Sequence, residues 1–76
     1  MLFRSVRLEA DVAAAAGDLG TARRRYAEAI RLQVRIQDLA GLARSLEHAA
    51  IVEEAAGDLA NARLLRQQRA AVKDAS

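Results

Sequence analysis

The stretch Ala15-Ala16-Gly17-Asp18-Leu19 recurs letter for letter as Ala55-Ala56-Gly57-Asp58-Leu59, 40 residues further along the chain. In each copy an alanine and an arginine follow, beginning three residues after the leucine. A repeat of this period is typical of stacked supersecondary units, each of which buries its apolar face against a neighbour. The sequence therefore predicts two copies of one unit, about residues 2–37 and 38–74, within a single domain spanning residues 1–76.

The composition favours helix in almost every segment. The chain has 76 residues, no proline, and a large share of alanine, leucine and arginine, which are strong helix formers. A chain of this length supports one small domain with a thin core. The net charge of +2 is too small to imply general adhesion to DNA or to membranes. We therefore expect an all-α domain.

Several kinds of protein are disfavoured by what the sequence lacks. Without cysteine, the chain has no disulfide framework and no thiolate metal site. No apolar run approaches the roughly 18 residues of a membrane-spanning helix, and arginine interrupts the first residues too early for a signal peptide. Arginine outnumbers lysine eleven to one, which indicates a GC-rich, bacterial coding bias. We expect a cytoplasmic bacterial protein without a cofactor.

Each Gly-Asp pair predicts a turn between two helices. Glycine readily adopts the left-handed conformation that ends a helix, and the aspartate carboxylate caps the helix that follows. Gln37-Asp38 marks the break between the two units, where Asp38 caps the third helix. The 3.6-residue spacing of apolar positions then predicts four helices, at about residues 2–16, 19–36, 39–56 and 59–72.

The second predicted helix carries a stripe of apolar residues at helical spacing, formed by Leu19, Ala22, Tyr26 and Ala29. Tyr26 is the only tyrosine, and we expect it to be largely buried between helices. The fourth predicted helix has Arg66 where the second has Tyr26, and its end is polar on most sides. Since terminal repeats need a face that meets water, we expect the fourth helix to cap the stack.

The pattern resembles the tetratricopeptide repeat (TPR) family, in a long-period bacterial form. The resemblance rests on a small residue midway along each first helix, Ala10 and Ala50. It rests also on the repeated Gly-Asp-Leu turn and on the sequence of alanine, aromatic and alanine at Ala22, Tyr26 and Ala29. It implies two stacked antiparallel helical hairpins, a four-helix fragment of an α-solenoid.

The resemblance also implies a function, that of a docking scaffold and not of an enzyme. Such repeats occur in bacterial signalling and transcription regulators, and their first helices line a groove that receives a peptide or a partner's helix. One family version holds a peptide's terminal carboxylate, but Asp11 stands here where a neutral asparagine is usual and would repel it. Carried over by repeat position, the groove comprises Arg4, Arg7, Asp11, Ala14, Arg44, Glu47, His48, Ile51 and Glu54.

Self-association is predicted from the first helix, which is more apolar than a terminal helix in water favours. The residues concerned are Leu2, Phe3, Val6 and Leu8. Two chains could meet there through a two-fold contact and form a homodimer. The alternative is that an upstream repeat of a longer protein covers this face.

An alternative function follows from the run Arg23-Arg24-Arg25, with Arg31 and Arg35 on the same predicted helix. These side chains suit a small accessory protein that binds nucleic acid. No aromatic residues interleave with the arginines to stack on bases, so a solvated helix face is the favoured interpretation. A scaffold designed without a natural ligand is a third alternative.

Catalysis and metal binding are not expected. His48 is the only histidine, and Ser45 lies one turn before it on the same predicted helix. A nucleophilic pair also needs an orienting acid and an oxyanion hole, and a metal site needs several converging ligands. The sequence offers neither arrangement.

Overall fold

The computed structural model describes the backbone of residues 2–75 and the side chains of residues 6–72. The all-α prediction is confirmed, since this part of the chain contains helices and turns but no strand. Helix α1 spans Leu2–Ala15, α2 spans Leu19–Ile36, α3 spans Leu39–Ala55 and α4 spans Leu59–Ala75. The predicted helices differ from these mainly at the end of α4, which continues beyond residue 72.

The two Gly-Asp turns have the predicted geometry. Gly17 and Gly57 are left-handed, with φ angles of 83° and 88°. The Asp18 carboxylate accepts a hydrogen bond from the backbone N–H of Thr21 at 3.3 Å, and the Asp58 carboxylate accepts one from Asn61 at 3.1 Å. Each turn therefore ends one helix with a glycine and begins the next with a carboxylate that satisfies a free N–H group.

The break between the units uses the same capping chemistry without a glycine. Gln37 adopts a left-handed conformation with φ at 60°, which most side chains disfavour. Its backbone N–H and that of Asp38 donate to the last carbonyl groups of α2. The Asp38 carboxylate then accepts from the Gly41 N–H at 3.1 Å, so the predicted cap of α3 is confirmed.

Consecutive helices pack on one another in chain order: α1 on α2, α2 on α3, and α3 on α4. The body is flat, with principal extents of 32 × 29 × 14 Å. Tyr26 is 2% exposed, as predicted, and Leu42 and Leu46 are also buried. The buried cluster comprises Ala10, Ala13, Ala22, Tyr26, Ala49 and Val52. No helix within the described residues has the length and apolarity of a membrane span.

Close packing around residue 41 favours glycine there. The position of Gly41 in the first turn of α3 suggests a different role, that of relaxing the turn. A Cβ atom at residue 41 would lie 2.9 Å from Gln33 Nε2 and closer still to the Asp38 carboxylate. We predict that Gly41→Ala lowers the free energy of unfolding by about 1 kcal/mol, because the displaced carboxylate can no longer cap α3. This outweighs the gain in helix propensity that alanine brings.

The matched control is Gly20→Ala in the first turn of α2. A Cβ atom there meets only Arg24 Nη1, at 3.9 Å, so this change should raise stability by about 0.5 kcal/mol. Urea unfolding of both variants measures the difference. Equal effects of the two substitutions would contradict the packing assigned to Gly41.

Candidate functional site

The first helices of the two units meet at a polar cluster formed by Asp11, Tyr26 and His48. The Tyr26 hydroxyl of α2 donates to Asp11 Oδ1 of α1. His48 Nδ1 of α3 lies 3.4 Å from the same oxygen. The rings of Tyr26 and His48 meet edge to face, with centroids 6.1 Å apart. The Asp11–Tyr26–His48 cluster therefore ties three helices together at one place.

This cluster is rooted in the core but opens to the surface. The Tyr26 ring is buried, whereas the Asp11 and His48 side chains are 39% and 41% exposed. Burial of the ring and its hydrogen bond to Asp11 raise the pKa of the Tyr26 hydroxyl well above its usual value of 10.0, and the nearby charge of Arg7 opposes the shift. The protonated hydroxyl is thus part of the folded state.

The alkaline titration of Tyr26 should be coupled to unfolding. Because the folded pKa lies above the unfolded one, the neutral hydroxyl stabilises the fold fully below about pH 10 and progressively less above it. The chain has one tyrosine and no tryptophan, so ultraviolet phenolate absorbance reports this residue alone. We predict a midpoint above pH 10 for the folded chain and near pH 10 in denaturant. Ionisation near pH 10 with helicity intact would contradict the assignment.

A shallow cleft lies beside the cluster, between α3 and α4. Its lining residues are Ala43, Arg44, Glu47, His48 and Arg69. Arg69 Nη1 lies 3.0 Å from Glu47 Oε1, which fixes one wall of the cleft, while Arg44 is exposed. One turn beyond His48, Ile51 is 51% exposed. Charged, polar and apolar groups are therefore all available within a short length of α3.

The predicted groove residues do not all fall in one place. Arg7, Asp11, Arg44, Glu47 and His48 lie at the cluster or in the cleft, and Ile51 is an exposed residue of α3 one turn after His48. Glu54 instead pairs with Arg66 of α4 through two contacts of 2.7 and 3.0 Å, and this hydrogen bonding lowers the pKa of the Glu54 carboxyl. Ala14 is half-buried against the core. The side chain of Arg4 lies outside the described residues.

The predicted self-association face is divided in the structure. Val6 is buried within the chain's own core, whereas Leu8 is exposed. The side chains of Leu2 and Phe3 lie outside the described residues. Val12, which follows Leu8 by about one turn, is also exposed, so Leu8 and Val12 are the exposed large apolar side chains of α1 from residue 6 onward.

A buried carboxylate was missed by the sequence analysis. Glu53 is one of the few buried charged residues in the described part of the chain, with its side chain 5% exposed. It accepts from Arg23 Nε and Nη2 at 2.6 and 2.9 Å, and from Asn61 Nδ2 at 2.6 Å. Glu53 therefore joins α2, α3 and α4. A sequence signal that could have found it is its spacing of four and three residues from Ala49 and Ala50, which puts it on their side of the helix, where a buried charge needs a partner.

The arginine run of α2 is used largely within the fold. Arg23 is held by Glu53, with Asp58 at 3.6 Å. Arg25 pairs with Glu28 at 3.1 Å and lies 3.9 Å from Glu9. Spacing alone also allows Glu28 to pair with Arg24 or Arg31. In the structure Glu28 accepts a hydrogen bond from Arg25 instead. Arg24 donates to the Thr21 hydroxyl. Two of the three consecutive arginines are thus neutralised by nearby carboxylates.

Ser45 is placed where it cannot serve as an exposed nucleophile. Its side chain is fully buried, and its Oγ has no hydrogen-bond partner among the described residues. In the same part of the chain, no three histidine, cysteine, aspartate or glutamate side chains are grouped as metal ligands. We predict that Ser45→Ala raises the free energy of unfolding by about 1 kcal/mol, since it removes an unsatisfied buried hydroxyl. A lower urea midpoint would show that Oγ has a partner in solution.

No protein-family model, curated protein or solved structure matches this chain. The chemistry of the cluster and the cleft therefore follows from their own residues.

Proposed function

We propose that this chain is a non-catalytic, cytoplasmic interaction module, built as two stacked antiparallel hairpins of the TPR type, and that its α1/α3 face binds a segment of another protein. This face is defined by Arg7, Asp11, Arg44, His48 and Ile51. The observation that supports the proposal best is the 3.4 Å approach of Asp11 to His48. It brings one side chain of α1 and one of α3 together at the surface.

The chemistry of the α1/α3 face suits a peptide or a partner helix. Ile51 offers apolar contact, Arg44 offers a cation, and Asp11 and His48 offer hydrogen-bonding groups beside the buried Tyr26 ring. Protein recognition commonly combines an apolar anchor with a polar rim. The supporting side chains are fixed by contacts between helices, which reduces the ordering cost of binding.

Nucleic-acid binding is the weaker candidate. It relies on the arginines of α2, and the ion pairs of Arg23 and Arg25 reduce the charge available to phosphates. Arg31 and Arg35 of α2 are exposed to solvent. Affinity for a labelled oligonucleotide that falls steeply with salt concentration would favour this function over the proposed one.

Peptide display on the immobilised chain tests the proposal. A selected peptide should lose affinity by at least about tenfold when Ile51→Asp or Arg44→Glu changes the α1/α3 face. The matched controls are Val34→Asp and Arg31→Glu, which make the same kinds of change at exposed positions of α2. Fluorescence anisotropy gives the four affinities, and circular dichroism verifies that each variant is folded.

The comparison of variants decides the outcome. Loss with the two α3 variants and unchanged affinity with the two α2 variants is the expected result. Selected peptides that bind the α3 variants as tightly as the unchanged chain would overturn the proposed site. So would a display experiment that yields no specific peptide.

A further inference from the structure

Some residues that lie 40 positions apart are identical but have different surroundings. Val52 of α3 is 4% exposed, because it packs into the core with Ala22 and Tyr26 of the preceding helix. Val12, its equivalent in α1, is 63% exposed. The difference arises because α3 packs on α2, whereas no described residue covers Val12 to the same extent.

The start of α4 shows the same kind of difference, but here the residue of the second unit is the exposed one. Leu19 at the start of α2 is partly buried against the cluster that contains Val52, whereas its equivalent Leu59 at the start of α4 is 64% exposed. An open groove runs along α4, lined by Glu54, Leu59, Ala62, Arg63, Arg66, Gln67 and Ala70. This α4 groove is the counterpart of the surface on which α3 sits. The predicted capping role of α4 is at odds with so exposed an apolar residue.

We propose that a second copy of this chain occupies the α4 groove, with its α1 packed there as α3 packs on α2. The inserted surface is the α1 end face, defined by Leu8, Glu9, Val12, Ala16 and Asp18, which line a second open apolar depression. The two ends of one chain are thus complementary to each other. The contact repeats the α2–α3 interface that already exists inside the chain.

Charge complementarity supports this occupant. Within the chain, Arg23 Nη2 lies 3.6 Å from Asp58 Oδ2. The residues 40 positions away on each side are Arg63, in the α4 groove, and Asp18, on the α1 end face. Head-to-tail packing places Arg63 of one copy beside Asp18 of the next. Glu9 on the same face lies 3.9 Å from Arg25, and Glu54 pairs with Arg66 in the groove, so the complementarity rests on the pair formed by Arg63 and Asp18.

The contact between copies is weaker than its internal counterpart. Ala13 stands where Glu53 stands in α3, so Arg63 lacks the bidentate partner that Arg23 has. Arg66 replaces the buried ring of Tyr26. The association is therefore reversible and depends on concentration.

Head-to-tail packing also makes a prediction that a two-fold contact does not. Each chain keeps one free end after it binds another, so the assembly grows beyond a dimer as concentration rises. A two-fold contact through α1, which the apolar first helix alone predicts, stops at two chains. The two arrangements therefore differ in the number of chains per assembly. They differ also in their response to mutations in α4, which weaken head-to-tail packing but not a contact through α1 alone.

Sedimentation velocity with two end-blocked variants tests the proposal. Val12→Lys puts a charge in the α1 end face and Leu59→Glu puts one in the α4 groove, so the contact between copies would have to bury a charge in place of an apolar side chain. Both residues are exposed in the single chain, so folding should be preserved. Each variant alone should remain monomeric at all concentrations, and an equimolar mixture should form a dimer and nothing larger, through the one unblocked pair of ends.

The experiment includes two control variants and two replacement variants. Val34→Lys and Leu64→Glu make the same changes at exposed positions outside both surfaces and should assemble like the unchanged chain. Leu8→Lys and Arg63→Glu replace the blocking variants if either fails circular dichroism. An unchanged chain that is monomeric at every concentration overturns the proposal. Self-association of Leu59→Glu at the unchanged level, or a mixture that stays monomeric, also overturns it.

Discussion

Replacing Tyr26 with alanine should lower the free energy of unfolding by about 3 kcal/mol. Tyr26 is the one large side chain in a cluster otherwise built from alanine and valine. Its removal leaves a cavity that neighbouring methyl groups cannot fill. It also removes the donor to Asp11 and the ring that meets His48.

Tyr26→Phe separates packing from hydrogen bonding. Phenylalanine keeps the ring in the cluster and loses only the hydroxyl, so we expect a cost of about 1 kcal/mol. Asp11 is partly exposed and recovers water as its partner, which limits the loss. Urea unfolding of both variants gives the comparison. If Tyr26→Ala and the parent chain unfold at the same midpoint, the ring does not hold the three helices together.

Glu53→Ala is the second large effect, with an expected loss of about 2 kcal/mol. The carboxylate is buried and receives hydrogen bonds from Arg23 and Asn61, so its removal disconnects three helices at once. Glu54→Ala is a matched control from the adjacent position, because the Glu54 carboxylate pairs with Arg66 at the surface. Exposed ion pairs of that kind contribute little to stability.

A double-mutant cycle identifies the partner of Glu53. Arg23→Met should also lower the urea midpoint, since it leaves the buried carboxylate with Asn61 alone. The double variant of Arg23→Met and Glu53→Ala should lose less than the sum of the two single losses. Additive losses, or equal effects of Glu53→Ala and Glu54→Ala, would contradict the buried network.

The local features of the fold could be predicted from the sequence because their causes lie within a few residues. Each Gly-Asp turn contains both its left-handed residue and its capping carboxylate, and Asp38 caps α3 in the same way. The burial of Tyr26 followed from the period of one helix. The crowding of Gly41 by Asp38 is local in the same way, whereas its crowding by Gln33 comes from the preceding helix and depends on packing.

The features that sequence analysis missed depend on how separate helices are placed. Glu53 reaches Arg23 across 30 residues, and no spacing within α3 indicates that partner. The exposure of Leu8 and the burial of Val6 depend on which side of α1 meets α2. The approach of His48 to Asp11 likewise depends on how α3 lies beside α1. Periodicity gives the faces of a helix, but the packing of helices decides which face is covered.

Binding of a protein segment to the α1/α3 face can be mapped by an NMR titration. The isotope-labelled full chain is titrated with a peptide selected by display, and the changes in backbone amide shifts are mapped on the structure. We predict that they concentrate at Asp11, Arg44, His48 and Ile51. Changes concentrated at Arg24, Arg31 and Arg35, or spread along α4 with the α1/α3 face unchanged, would contradict the claim.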